Sequence, residues 1–83
     1  MRKYRKLLRI GKKAQRKKLK ENKHKKDWED MSFDEIASLL YEESEEVHEE
    51  ITTRKPDYQS IKYECADLAN ACHMMIMYCE RAK

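Results

Sequence analysis

Gly11 and Pro56 are the only glycine and the only proline in 83 residues, so the chain has very few places to break or sharply bend a helix. With 42% of residues charged and Glu, Lys, Leu, Met and Ala abundant, such a sequence favours helices and predicts no strands. At this length there is one domain at most. A short chain buries a modest share of its surface, and self-association is the cheapest supplement to a small core.

Local signals divide the chain into three helices. Residues 1–23 carry a thin apolar stripe at Tyr4, Leu7, Leu8, Ala14 and Leu19, interrupted by Gly11. The pattern fails from Lys23 to Met31, which puts His24 and Trp28 in a charged connecting loop. Ser32 followed by Glu35 forms a capping box, and Ile36, Leu39, Leu40, Val47 and Ile51 then recur at helical spacing. Thr52, Thr53 and Pro56 end that helix near Ile51, and Asp57 caps a third. Its apolar positions Ile61, Cys65, Leu68, Cys72, Met75 and Cys79 alternate by four and three. The three cysteines, seven residues apart, lie about 10 Å from one another along a helix, too far for disulfides. They are expected as reduced thiols serving mainly as small packing residues.

The formal net charge of +3 conceals a segregation. Residues 1–26 hold fourteen Lys or Arg and one acid, Glu21, whereas residues 27–50 hold eleven acids and no Lys or Arg. A basic segment of this kind can fold onto the acids or bind a polyanion, and the acids can gather cations. No apolar segment reads as a signal peptide, and the longest mostly apolar run, Ala71–Cys79, contains His73 and is too short to span a bilayer. A cytoplasmic protein with no membrane partner is expected.

Within the acidic block one spacing stands out. Glu43 and Glu46 are three apart on the second helix, and Glu64 and Asp67 are three apart on the third, so each pair shares a face. The pairs Glu46–Glu64 and Glu43–Asp67 are both centred on residue 55, next to Pro56. An antiparallel hairpin folded there brings all four acids to one level, and it sets Ile36 against Met74 and Leu40 against Asn70. Four converging carboxylates repel unless they protonate or hold a hard cation such as Mg²⁺ or Mn²⁺. A merely solvated acidic face would account for the second helix, but not for Glu64 and Asp67 beside Cys65 and Leu68.

Glu43-x-x-Glu46, a gap of seventeen residues and Glu64-x-x-Asp67 resemble the motif of the all-α MazG-like nucleoside triphosphate pyrophosphohydrolases. The stretch from His24 to Trp28, Ser32, the run Leu39-Leu40-Tyr41-Glu42-Glu43, the segment Glu64 to Asn70 and Met74-Met75-Ile76 are similar to small phage and bacterial members. The resemblance covers residues 14–83 as a MazG-like helical domain and leaves residues 1–13 as a basic arm or helix start.

It implies Mg²⁺-dependent cleavage of an NTP or dNTP to the monophosphate and pyrophosphate, the ion held by Glu43, Glu46, Glu64 and Asp67. Glu43 and Glu46 would be catalytic, with Glu46 on the base side of the attacking water. Asn70 would approach sugar or phosphate, or else hold a core contact. His24 and Trp28 would meet the base, although Trp28 equally suits a hydrophobic anchor. Lys26, with Lys25, would meet the triphosphate or remain solvated. His48 and His73 are read as structural.

The fold expected is all-α: a helical hairpin plus a preceding basic helix, assembled into a multi-helix bundle as a homodimer or homotetramer. Two other functions fit parts of the chain. One is nucleic-acid binding through residues 2–26, and the other is a non-catalytic helical assembly protein.

Overall fold

In a computed structural model, residues 2–22 and 27–82 are described, and among them the chain is all-helical with no strand. Helix α1 spans Arg2–Glu21, α2 spans Phe33–Thr52 and α3 spans Tyr58–Arg81. The first helix runs through Gly11 without a break, because strong helix formers flank it and one glycine costs only about 1 kcal/mol. No backbone discontinuity marks residue 13, but burial along α1 begins at Ala14.

Local capping sets the other boundaries. Trp28 lies not in an open loop but in a 3₁₀ turn, Trp28–Asp30, where the Asp27 carboxylate accepts from the Glu29 N–H at 3.2 Å. At the start of α2 the capping box closes in both directions. Ser32 Oγ accepts from the Glu35 N–H and Glu35 Oε1 accepts from the Ser32 N–H, both at 3.1 Å. Thr52 ends the helix by donating its hydroxyl to the His48 carbonyl at 2.8 Å, and Thr53 is extended. Asp57 then caps α3, accepting from the N–H groups of Gln59 and Ser60.

α3 is the element on which both other helices pack, and α1 and α2 meet little. Phe33, at the start of α2, stacks on Tyr78 near the end of α3 with ring centroids 5.8 Å apart. Where α1 crosses α3, Gln15 and Asn70 exchange hydrogen bonds: Gln15 Nε2 donates to Asn70 Oδ1 and Asn70 Nδ2 donates to the Gln15 carbonyl, both at 3.1 Å. Among the described residues the buried apolar ones are Ala14, Ile36, Ala66 and Ala71, with Asn70 the buried polar one. Small side chains on α3 let two helices approach it at once.

That solution overturns the packing role expected for the cysteines. Cys65, Cys72 and Cys79 are exposed free thiols. Ile61, Leu68 and Met75 on the same stripe are only half-buried. At about 100° per residue, the sector of α3 that meets its neighbours is centred on Ala66, Asn70 and Ala71, and the cysteines project from the other side. No helix among the described residues is long and apolar enough to cross a membrane.

With so small a core, Ile36 is, among the described residues, the one large side chain fully removed from solvent. Ile36→Ala should destabilise by about 3 kcal/mol, a large part of what so small a domain possesses, and should be read as a lowered midpoint in urea monitored by circular dichroism.

Candidate metal centre and adjoining cavity

Glu43 reaches the site from the middle of α2, and Glu64 and Asp67 reach it from the first half of α3. One carboxylate oxygen from each lies within 4.8 Å of the other two. Oxygens ligating one Mg²⁺ at about 2.1 Å stand roughly 3–4 Å apart, so this trio is close to the spacing an ion requires. Glu46 is exposed and lies outside the trio. Its carboxylate still acts on both Glu43 and Glu64 from the edge of the site.

The electrostatics are those of an acid cluster short of cations. Glu43 Oε2 and Glu64 Oε2 are buried without a hydrogen-bond partner. Burial is the first reason that both carboxyls are pushed up to about 7. Glu46 is the next for each, through its charge and a shared hydrogen bond, and Asp67 adds to both. The Lys18 ammonium opposes the shift at Glu64. Lys18 Nζ lies 3.5 Å from Asp67 Oδ2 and 3.2 Å from Glu21 Oε2. Burial works against the lysine's charge, but Glu21 and Asp67 outweigh it and its pKa is raised. Asp67 also accepts from Asn22 Nδ2 at 3.3 Å, so α1 engages both of its oxygens.

Beside the trio lies a cavity of about 450 Å³ bounded by all three helices and the 3₁₀ turn. Glu43, Asp67 and Asn70 contribute polar groups, while Trp28, Met31 and Leu39 supply much of the apolar wall. The Arg81 guanidinium sits 4.8 Å from the Trp28 ring centroid, a cation–π contact that helps hold the indole in place. Asn70 lines the cavity while both ends of its amide are tied to Gln15, so it has the core role foreseen for it and borders the space as well. His24 and Lys26, with Lys25, lie outside the described residues. His48 is exposed, and the exposed His73 has Nδ1 2.9 Å from Gln15 Nε2.

Sequence reasoning missed the contribution of α1. Gln15, Lys18 and Asn22 recur at three and four residues beside Ala14, and that spacing was the available signal within a run of lysines. Compared with protein-family models, curated proteins and solved structures, the chain gives no match.

The raised carboxyls set the sign of a pH effect. A carboxyl at about 7 in the folded state against 4.5 ordinarily means that the folded protein binds more protons than the unfolded chain between those values. Stability then falls as pH rises through that window. Without divalent ions, the melting temperature should drop by several degrees between about pH 5 and pH 8. Mg²⁺ should restore it at pH 8 and do little at pH 5, as calorimetry would show.

Proposed function

We propose that the chain is a Mg²⁺-dependent nucleoside triphosphate pyrophosphohydrolase of the MazG-like type, acting through a helical hairpin formed by α2 and α3. The observation that carries this reading is the junction of an acidic trio with an apolar, aromatic-walled cavity. Two buried carboxylate oxygens in the trio lack partners, and Trp28 stands in the cavity wall. Ligand cavities commonly measure roughly 300–1,000 Å³ and combine apolar walls with a few polar groups, so about 450 Å³ suits a nucleoside.

Glu43, Glu64 and Asp67 would hold the ion, with Glu46 completing the set from the edge. Mg²⁺, when bound, offsets charge on the triphosphate oxygens. Trp28 offers a face on which a base can stack, and Asn70, fixed by Gln15, limits how the sugar sits. Lys18 keeps one positive charge beside Asp67. In the reaction a water oxygen bonds to the α-phosphorus while the bond from that phosphorus to the α–β bridging oxygen breaks. Pyrophosphate leaves, the monophosphate remains, and Glu46 takes the proton from the water.

Assembly belongs to the same proposal. The core is small, and Ile51, Tyr58 and Ile76 are exposed alongside the cysteine stripe of α3. A homodimer or homotetramer covering that stripe would supply the missing buried area.

The test is pyrophosphate release from a panel of NTPs and dNTPs with Mg²⁺. Turnover of at least one substrate is expected, abolished by EDTA and lowered at least roughly 100-fold by Glu43→Gln or Glu64→Gln with helicity retained. A folded protein that turns over none of the panel would refute the proposal. Glu46→Gln separates catalysis from a purely structural role of the acids. The enzyme reading requires lost turnover with unchanged mass in light scattering, whereas a lost oligomer would assign the acids to assembly.

A further inference from the structure

The outer surface of α1 is used by nothing described so far. At about 100° per residue, Arg5, Arg9, Lys12, Lys13, Arg16 and Lys20 fall within a sector of roughly 100°, opposite the face formed by Ala14, Gln15, Lys18 and Asn22 that meets α3. All six are exposed. Along the helix axis they extend over about 23 Å, at 1.5 Å per residue. Arg9, Lys13, Arg16 and Lys20 converge, with Lys17, around a shallow depression. The acids able to neutralise this stripe are concentrated in residues 27–50, whereas the α1 ion pairs among the described residues run inward from Lys18.

We infer that this face of α1 is a docking surface for the phosphate backbone of a duplex nucleic acid, bound without regard to sequence. Duplex DNA carries one negative charge per about 1.7 Å of axis, so a straight cationic stripe of this length meets a dense, complementary line of phosphates. The side groups also select the occupant. A single strand calls for aromatics interleaved along the cations, whereas here the aromatics stand only at the rims of the stripe, Tyr63 under Lys17 and Trp28 in the cleft that Lys12 and Arg16 border, and Tyr4 lies on the opposite side with Leu7 and Leu8. Nor does the geometry suit an anionic bilayer. Tyr4, Leu7 and Leu8 point to the same side of the straight helix as its contact with α3, so burying them in lipid would press the body of the protein against the membrane. Arg5, Arg9, Lys13 and Lys20 point away from that body, and Lys12 and Arg16 stand at its edge, where they also border a cleft with Trp28 and His73, so the stripe stays open to a long polyanion.

The test uses the full chain in EDTA, which removes any bridging by a divalent ion at the acid trio. Fluorescence anisotropy would follow labelled DNA and RNA duplexes of about 20 base pairs, and a single strand, over a salt series from about 50 mM upward. Duplex binding should weaken steeply with salt, with a log–log slope of about −4 to −6. The triple substitution Arg5→Gln, Arg9→Gln and Arg16→Gln should weaken it at least tenfold and reduce the slope by about three, with helix content unchanged. Leu7→Ser with Leu8→Ser should leave it unaltered. The inference is overturned by absent duplex binding at the lowest salt, or by duplex affinity that survives the arginine substitutions. Preferential sedimentation with phosphatidylserine vesicles that is lost on Leu7→Ser with Leu8→Ser would also overturn it, assigning the helix to a membrane surface instead.

Discussion

Two helices can share one face of a third only where that face is nearly flat, and α3 meets the condition with Ala66 and Ala71. Each small side chain sacrifices buried area, so the contact depends on fit and on the reciprocal Asn70–Gln15 hydrogen bonds rather than on a large apolar core. A buried amide satisfied in both directions also fixes the register of α1, because sliding the helix by one residue would strand both groups of Asn70 away from water. The α1 side of the site is placed by that registry. It brings Lys18 and Asn22 to Asp67, and it closes one wall of the cavity beside Glu43.

The same close approach creates the electrostatic problem at the centre of the site. Carboxylates on the α2–α3 contact lose part of their hydration, and Glu43 and Glu64 respond by holding protons to about 7. One lysine does not balance three or four acids. Folding and proton binding are therefore linked: the arrangement that positions the acids also raises the free energy of their ionised form. A more open helix pair would relieve the strain but would lose the spacing that an ion needs.

How much of this was legible beforehand depended on how local each cause was. Ser32, Glu35 and Asp57 announced their helices because a cap involves only neighbours in sequence. Glu43, Glu46, Glu64 and Asp67 could be grouped because two independent spacings shared one centre, and the structure brings three of them together with Glu46 at the edge. Phe33 and Tyr78, which stack, stand at nearly equal sequence distances on either side of that centre. The cysteine stripe misled because periodicity reports which residues share a face and is silent on which face another helix covers. The place of α1 was illegible for a related reason. Its contacts with α3 span more than forty residues of sequence, and only a few residues such as Ala14, Gln15 and Asn22 interrupt the basic run to hint at them.

Charge segregation along the sequence becomes a segregation in space, with α3 as the divider. Cations on the far side of α1 are exposed, as are most acids of α2, while Glu43 turns from α2 to meet Glu64 and Asp67 at the contact with α3, and α1 and α2 meet little. Had the two blocks simply collapsed on each other, the acids would be neutralised by flexible lysines and no site short of positive charge would exist. Two α1 cations turn to α3: Lys17 lies over the Tyr63 ring, and Lys18 pairs with Asp67, where a single lysine lowers the repulsion without cancelling it. That partial compensation makes the trio tolerable in the folded chain while leaving it net negative, at a spacing that could hold a divalent ion.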